Sequence, residues 1–382
     1  MTDDGWPAGP QPVRVMVLGG YGHFGTRVCR ALADESAIQL IITGRSLDRA
    51  NALRDRLGAN RERHEMAAVD HGATDFGARL AALYIDVVIH TGGPFQGQNY
   101  HVAEACIAAG IHYIDLADGR EFVANIKRLD RAAREAGVLA VSGASTLPAV
   151  SSAVVEHYLP NFETLTSIRA SIAPGQRTPR GVATLEAVLS YCGRPFVQLE
   201  QGEWQTVYGW QGLQRFRYPE LGSRWLGACD VPDLSLFPQH YPGLQTMQFR
   251  TGLELSVMQW SMWGLAWLVR AGVVKQLERY ARPLKRISGR FDRFGTDNGG
   301  MHVGLAGVGH DGAARSIDWF LTARQGHGPE IPCVPAIVLA RKLAAGKVEW
   351  RGAMPCVGLI SLDEFGDAVS HLNISSDALE SG

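Results

Sequence analysis

The stretch that most constrains this chain is Val13 to Gly25, Val-Arg-Val-Met-Val-Leu-Gly-Gly-Tyr-Gly-His-Phe-Gly. The β-formers Val13, Val15, Val17 and Leu18 have only Arg14 and Met16 between them and stop at Gly19-Gly20, as a buried parallel strand does on entering a turn. Gly20, Gly22 and Gly25 then satisfy G-x-G-x-x-G, with Gly19 as a further glycine, and a helix is predicted from about Thr26 to Ala33. In a strand-turn-helix unit these glycines serve a tight turn, close approach of the backbone to a pyrophosphate, and close helix-strand packing. The free amides and dipole at the helix start make the anion site. A chain with 44 glycines produces such spacings by chance, and the alternative is a purely structural turn. Context favours the dinucleotide reading: a strand precedes the motif, a helix follows it, and a second strand is predicted at Ile38 to Thr43. Gly19, Gly20, Tyr21, Gly22, His23, Phe24 and Gly25 are therefore candidate cofactor contacts. Roughly 20 residues beyond the last glycine an acid normally takes the ribose 2′-hydroxyl. Arg45 stands there instead, followed by Ser46. An arginine suits a 2′-phosphate, so NADP is expected before NAD; otherwise Arg45 is a solvated residue at a helix start.

From Ala50 to Val141 short apolar strands alternate with helical stretches, which predicts a doubly wound parallel sheet of six strands with helices on both faces. Ligands of such sheets sit outside the carboxyl ends of the strands. The loops at Thr91, Gly92, Gly93, Pro94 and Phe95, at Asp115 to Arg120, and at Ser142 to Pro148 should then line the nicotinamide end, with Phe95 expected to touch substrate. The glycines at 92 and 93 allow close approach of a ligand, or mark a plain turn before a helix. Asp70, at the end of a predicted strand, either meets the adenine or caps a helix.

After Ser142 the pattern changes to an α+β second domain whose sheet is expected to be mostly antiparallel. The loop Pro174 to Gly181 carries Arg177 and Arg180, which with Arg120 are candidates for holding a substrate carboxylate; a solvated hairpin is the alternative. Trp260, Trp263 and Trp267 have helical spacing, which points to core or to a subunit contact, and a homodimer is expected through them. The expected organisation is a flexible leader over 1–12, a dinucleotide domain over 13–148, a substrate and dimerisation domain over 149–328, and a segment over 329–382 returning to the first domain. The tail after Ser370 reads as loosely held. Lys+Arg number 37 against Asp+Glu 38, so no basic field exists to recruit nucleic acid. The six cysteines are dispersed, which argues against a metal site or a disulfide framework and suits a cytoplasmic protein. No signal peptide is evident, and Leu255 to Val269 is too short and too polar for a membrane span.

These residues together resemble the saccharopine dehydrogenase superfamily, in its bacterial saccharopine dehydrogenase-like branch. The resemblance rests on Gly19 to Gly25, on Gly92-Gly93-Pro94-Phe95, on Tyr113-Ile114-Asp115-Leu116, and on Ser142-Gly143 leading to Pro148. It extends to Gly328-Pro329, Pro335 to Ala345 and Gly352-Ala353. It implies an NAD(P)-binding Rossmann domain, an inserted domain that sets substrate specificity, and a closing segment packed on the cofactor domain. The tryptophan-rich second half departs from the classical saccharopine pattern.

The leading expectation is an oxidoreductase moving hydride between NADP(H) and a small imine, carbonyl or activated alkene in an interdomain cleft. A proton donor must accompany the hydride; Tyr113, Asp115 and Asp118 are the first candidates, with His240, Asp297 and Glu330 as contributions from the second half. A non-catalytic NADP-binding sensor or scaffold competes with this reading, because no Tyr-x-x-x-Lys-like pair is present. An enoyl reductase for lipid-like substrates is a third reading.

Overall fold

The computed structural model describes residues 11–381; apart from residues 11 and 12, the expected leader lies outside them. The first strands are β1 (Val13–Leu18), β2 (Ile38–Gly44), β3 (Glu65–Ala68), β4 (Val87–His90), β5 (His112–Asp115) and β6 (Leu139–Ser142). They pair in parallel in the order β6-β5-β4-β1-β2-β3. Val15, Met16 and Val17 are inaccessible to solvent, because helices cover both faces of the sheet. The helix Gly25–Leu32 supplies one cover, burying Val28, Cys29 and Leu32 on a single stripe.

The second sheet is built from β7 (Thr164–Ala173), β8 (Pro195–Glu200), β9 (Glu203–Tyr208), β10 (Gln214–Tyr218), β11 (Gly222–Ala228), β12 (Thr246–Thr251), β13 (Gly299–Val308) and β14 (Ala314–Ala323). Its pairings are antiparallel except for β7 with β12, which run parallel. One face carries Ile168, Ala170, Met247, Phe249, Val303 and Leu305 into the shared core, against the helices Ser151–Tyr158 and Asp233–His240. The architecture is thus a Rossmann sheet joined to a second domain with a mixed sheet.

Two strands differ from the sequence expectation. The parallel sheet has seven members, not six: β15 (Gly352–Pro355) pairs with β6 at its edge, after the buried helix Val334–Ala344. The tail, expected to be loose, forms β16 (Ile374–Ser381), which runs antiparallel to β14 in the second sheet along its whole length. Cross-strand backbone pairing holds it where its few apolar side chains would not.

Candidate active site

The turn after β1 is shaped by close contacts that admit only glycine. Gly19 has φ +82°, and its carbonyl oxygen would lie 2.2 Å from a Cβ on Gly25 and 2.9 Å from one on Gly22. Gly22 therefore serves the turn itself as well as its open face, and its amide donates to the Gly19 carbonyl at 2.8 Å. The amides of His23 and Phe24, at the helix start, donate to no protein acceptor among the described residues. That leaves donors for an anion, and a diphosphate fits the cradle. Thr91, at the end of β4, ties the neighbouring loop to this turn by donating to the Leu18 and Gly19 carbonyls at 2.9 and 3.2 Å.

At the end of β2, the Tyr21 ring lies over Gly44, and its hydroxyl accepts the Ser46 amide at 2.8 Å. Ser46 caps the helix Leu47–Arg54. Arg45 is exposed beside it. Arg49, which no sequence motif marked, stacks on the Tyr21 ring at 4.4 Å. Two guanidinium groups thus stand where the ribose of a dinucleotide would reach. Asp70 is exposed and accepts the Gly72 amide at 3.0 Å, closing its own turn.

The loops after β4 and β5 are laced together. Gln98 donates to the Gly92 and Pro94 carbonyls, and Gln96 donates to Asp118 at 3.0 Å. Phe95, expected to touch substrate, is 4% exposed and packs between His90 and Phe122 as core. Tyr113 is likewise 1% exposed, its hydroxyl paired with His90 Nδ1 at 3.2 Å, and burial pushes its phenol well above the ordinary range. Neither is open to a substrate: Tyr113 points from a strand covered on both faces into a helix layer, and Phe95 folds from its loop into the core. Asp115 is also inaccessible: its Oδ1 accepts from Gly143 N, Ala117 N and Ser142 Oγ at 2.8 to 3.0 Å, while Oδ2 has no partner. Burial outweighs those bonds and pushes its carboxyl up to about 6. It pins the β5 and β6 loops together from below.

Asp118 differs. It opens onto a cleft of about 230 Å³ lined from the first domain by Gln96, Asp118 and Arg120 and from the second by Tyr191, Arg194 and Asp230. Desolvation by the surrounding protein raises its carboxyl above the ordinary range, opposed by the bond from Gln96. Arg120 is not free to clamp a ligand: it donates to Ser235, to the Val197 carbonyl and to Asp230 at 2.9 Å, joining the two domains. Arg180 is likewise committed, to the Gly175 and Gln176 carbonyls. Arg177 is exposed, 3.9 Å from Asp297. His240 pairs with Glu156 at the surface, and Glu330 bridges to Arg27 on the first helix, which keeps both out of the cleft. The loop carrying Arg177 reaches the glycine turn: a Cβ on Gly181 would lie 3.6 Å from His23. Burial and the nearby Arg27 hold the His23 imidazole neutral, its pKa down to about 4.

Tyr191, Arg194 and Asp230 escaped sequence reasoning because they are scattered through the second domain. The only signal was a turn cluster, Gly193-Arg194-Pro195, behind an aromatic residue. Trp260 and Trp267 stand on the helix Ser256–Arg270, each nearly half exposed, in an edge-to-face ladder with Trp263 and Trp225. Among the described residues no group of histidine, cysteine or acidic side chains could hold a metal, and no helix is long and apolar enough to cross a membrane.

Residues 15–141 match the family described as saccharopine dehydrogenase NADP binding domain. No curated protein matches the sequence. Among solved structures, the fold is similar to the L-Glu-forming saccharopine dehydrogenase of Saccharomyces cerevisiae, at 12% identity and a TM-score of 0.67 over 96% of this chain and 100% of that one. It is also similar to the homospermidine synthase of Legionella pneumophila solved with NAD, at 10% identity and a TM-score of 0.59 over 97% of this chain and 91% of that one. The first domain thus matches a saccharopine dehydrogenase NADP-binding domain, and the whole chain shares its fold with these two enzymes.

Proposed function

We propose that the protein is an NADP(H)-dependent oxidoreductase whose substrate, a small imine, carbonyl or activated alkene, lies in the cleft between Asp118 and Tyr191. The observation that carries this is that the glycine cradle and the loops after β4 and β5 stand at the same carboxyl edge of the parallel sheet, and that the second of those loops opens onto a cleft walled by residues of both domains. Gly19 to Gly25 would hold the diphosphate, Arg45 and Arg49 a 2′-phosphate, and Thr91 to Pro94 the nicotinamide side, with Asp70 at the adenine end. When bound, a nicotinamide supplies or accepts a hydride.

The chain's own residues do the rest. Asp118, held by Gln96, carries the proton that the reacting heteroatom gains or loses, and a carboxyl raised by its surroundings is suited to that exchange. Arg194, 48% exposed at the side chain, donates from one nitrogen to the Lys275 carbonyl at 3.2 Å with Glu278 at 3.6 Å, and is the cleft cation left for a substrate carboxylate. Arg120 and Asp230 keep the walls in register. Support for NADP over NAD comes from Arg45 and Arg49. The exposed Trp260 and Trp267 are taken as the face on which a homodimer forms.

The test is NADPH oxidation by purified protein with a panel of cyclic imines, keto acids and enoyl thioesters. Turnover of one class, abolished in Asp118→Asn, is expected. Tight NADPH binding with no turnover across the panel would instead favour the non-catalytic sensor.

A further inference from the structure

The second sheet has an outer face that faces away from the shared core, and it is not an ordinary solvated surface. Register places Arg169, Gln248 and Gly304 in one row across β7, β12 and β13, and Ser171, Arg250 and His302 in the next. The hairpin formed by β10 and β11 continues the sheet through Gly227 and Ala228, then curls back over this face, so that Phe216 rests on the His302 ring at 4.6 Å. Between hairpin and sheet is a cavity of about 300 Å³, lined by no residue of the interdomain crevice.

Its polar lining has a definite sign. Arg169, Arg215 and Arg250 all line it, and among the described residues none has a carboxylate within 4.0 Å. Arg250 donates one bond, to the Gly212 carbonyl, and is half-buried, with the charge of Glu200 opposing that burial. The acid inside the cavity, Asp318, is taken up by His302 Nε2 at 2.7 Å. Gln248 is 6% exposed and its amide meets no protein partner among the described residues. Guanidinium groups gathered around one cavity without carboxylates repel one another, Arg169 acting on Arg250, and the Gln248 amide opens onto the same space. An anion with several acceptor oxygens satisfies all of them at once. The Phe216 ring beside them offers a flat apolar wall.

We propose that this cavity binds a small organic anion carrying two negative charges, a dicarboxylate or a phosphate ester, held by Arg169, Arg215 and Arg250 with its carbon skeleton against Phe216. The cavity is of metabolite size, and its recognition is independent of the reading of the crevice.

The experiment is calorimetric titration of the full chain with 2-oxoglutarate and, separately, with glycerol 3-phosphate, each with and without saturating NADPH so that occupancy of the crevice is controlled. Acetate is the singly charged comparison. Saturable binding of one of the two dianions, insensitive to NADPH and weaker for acetate, is expected; which one binds distinguishes carboxylate from phosphate recognition. Arg169→Met should weaken it about tenfold or more, and rising salt should weaken it further. Arg215 is exposed on the hairpin, so Arg215→Met keeps the fold and gives the same reading should Arg169→Met misfold. The proposal is overturned if neither dianion saturates at millimolar concentration, if binding survives in the Arg169→Met, Arg215→Met double variant, or if binding is lost only when NADPH is added. It is also overturned if light scattering shows that this face is closed by a second copy and that Arg215→Glu separates the two.

Discussion

The two parts of the proposed site, for cofactor and for substrate, are built in opposite ways. At the cofactor end, one unbroken segment makes the site: Gly19 to Gly25 turn, pack and present amides within a few residues of each other. At the substrate end, Gln96, Asp118, Tyr191 and Asp230 come from four distant parts of the chain and meet only because two sheets dock. The first end is specified by backbone sterics and tolerates almost no change. The second is specified by side chains on loops, which is where substrate choice can drift without loss of fold.

The sharpest way to test that contrast is at Gly25. A Cβ there overlaps the Gly19 carbonyl, so Gly25→Val should cost about 3 kcal/mol and remove NADPH binding, read by denaturant unfolding and cofactor fluorescence. A folded, binding variant would break the claim that the cofactor end is sterically determined. Next in size, Asp118→Asn should lower kcat by about a hundredfold to ten-thousandfold with KM little changed and NADPH affinity intact. A change in KM alone would make Asp118 a binding group and not a proton carrier.

Smaller again, Arg45→Asp should weaken NADPH binding about tenfold to a hundredfold while leaving NADH nearly unaffected; Arg49→Ala should act in the same direction. Equal losses for both cofactors would remove the 2′-phosphate from the argument. The smallest effect concerns Asp233, buried in the first turn of the helix that anchors Arg120, with Ser151 on one oxygen and no partner on the other. Burial pushes its carboxyl up to about 7. The native state therefore takes up this proton before the unfolded chain does, so its contribution to stability is full at low pH and is lost as pH rises through about 7. Lowering the pH from 7 to 6 should thus add about 1 kcal/mol from this group, and Asp233→Asn should flatten that slope.

What could be read from the sequence follows the same division. The parallel sheet and its glycine turn were legible because period, turn residues and helix start all lie in one window around Val13 to Gly25. Asp118 was legible only as a residue at a strand end. Nothing local distinguishes it from Tyr113 and Asp115, which face the core from the strand that it follows. Arg120 and Arg180 looked like free cations because their partners, Asp230 and the Gly175 and Gln176 carbonyls, are supplied by the tertiary fold or by a loop whose bend cannot be seen in one dimension. The last strand was missed for a plainer reason: among Ile374, Ala378 and Leu379 the apolar side chains do not alternate, since an edge strand is held by its backbone.

That last strand, taken with β15, bears on how the protein is made. The chain completes its first sheet only at Gly352–Pro355 and then returns to the second with Ile374–Ser381. A ribosome emitting this polypeptide has released the whole nucleotide cradle long before the edge that flanks β6 exists, and that edge in turn precedes the strand flanking β14. Neither half can mature as an independent unit during synthesis. Pairings that span so much of the sequence also make for slow closure, during which the exposed edges of β6 and β14 are open to misassociation. Expression of residues 13–148 alone should accordingly yield an aggregation-prone fragment rather than a smaller cofactor-binding protein.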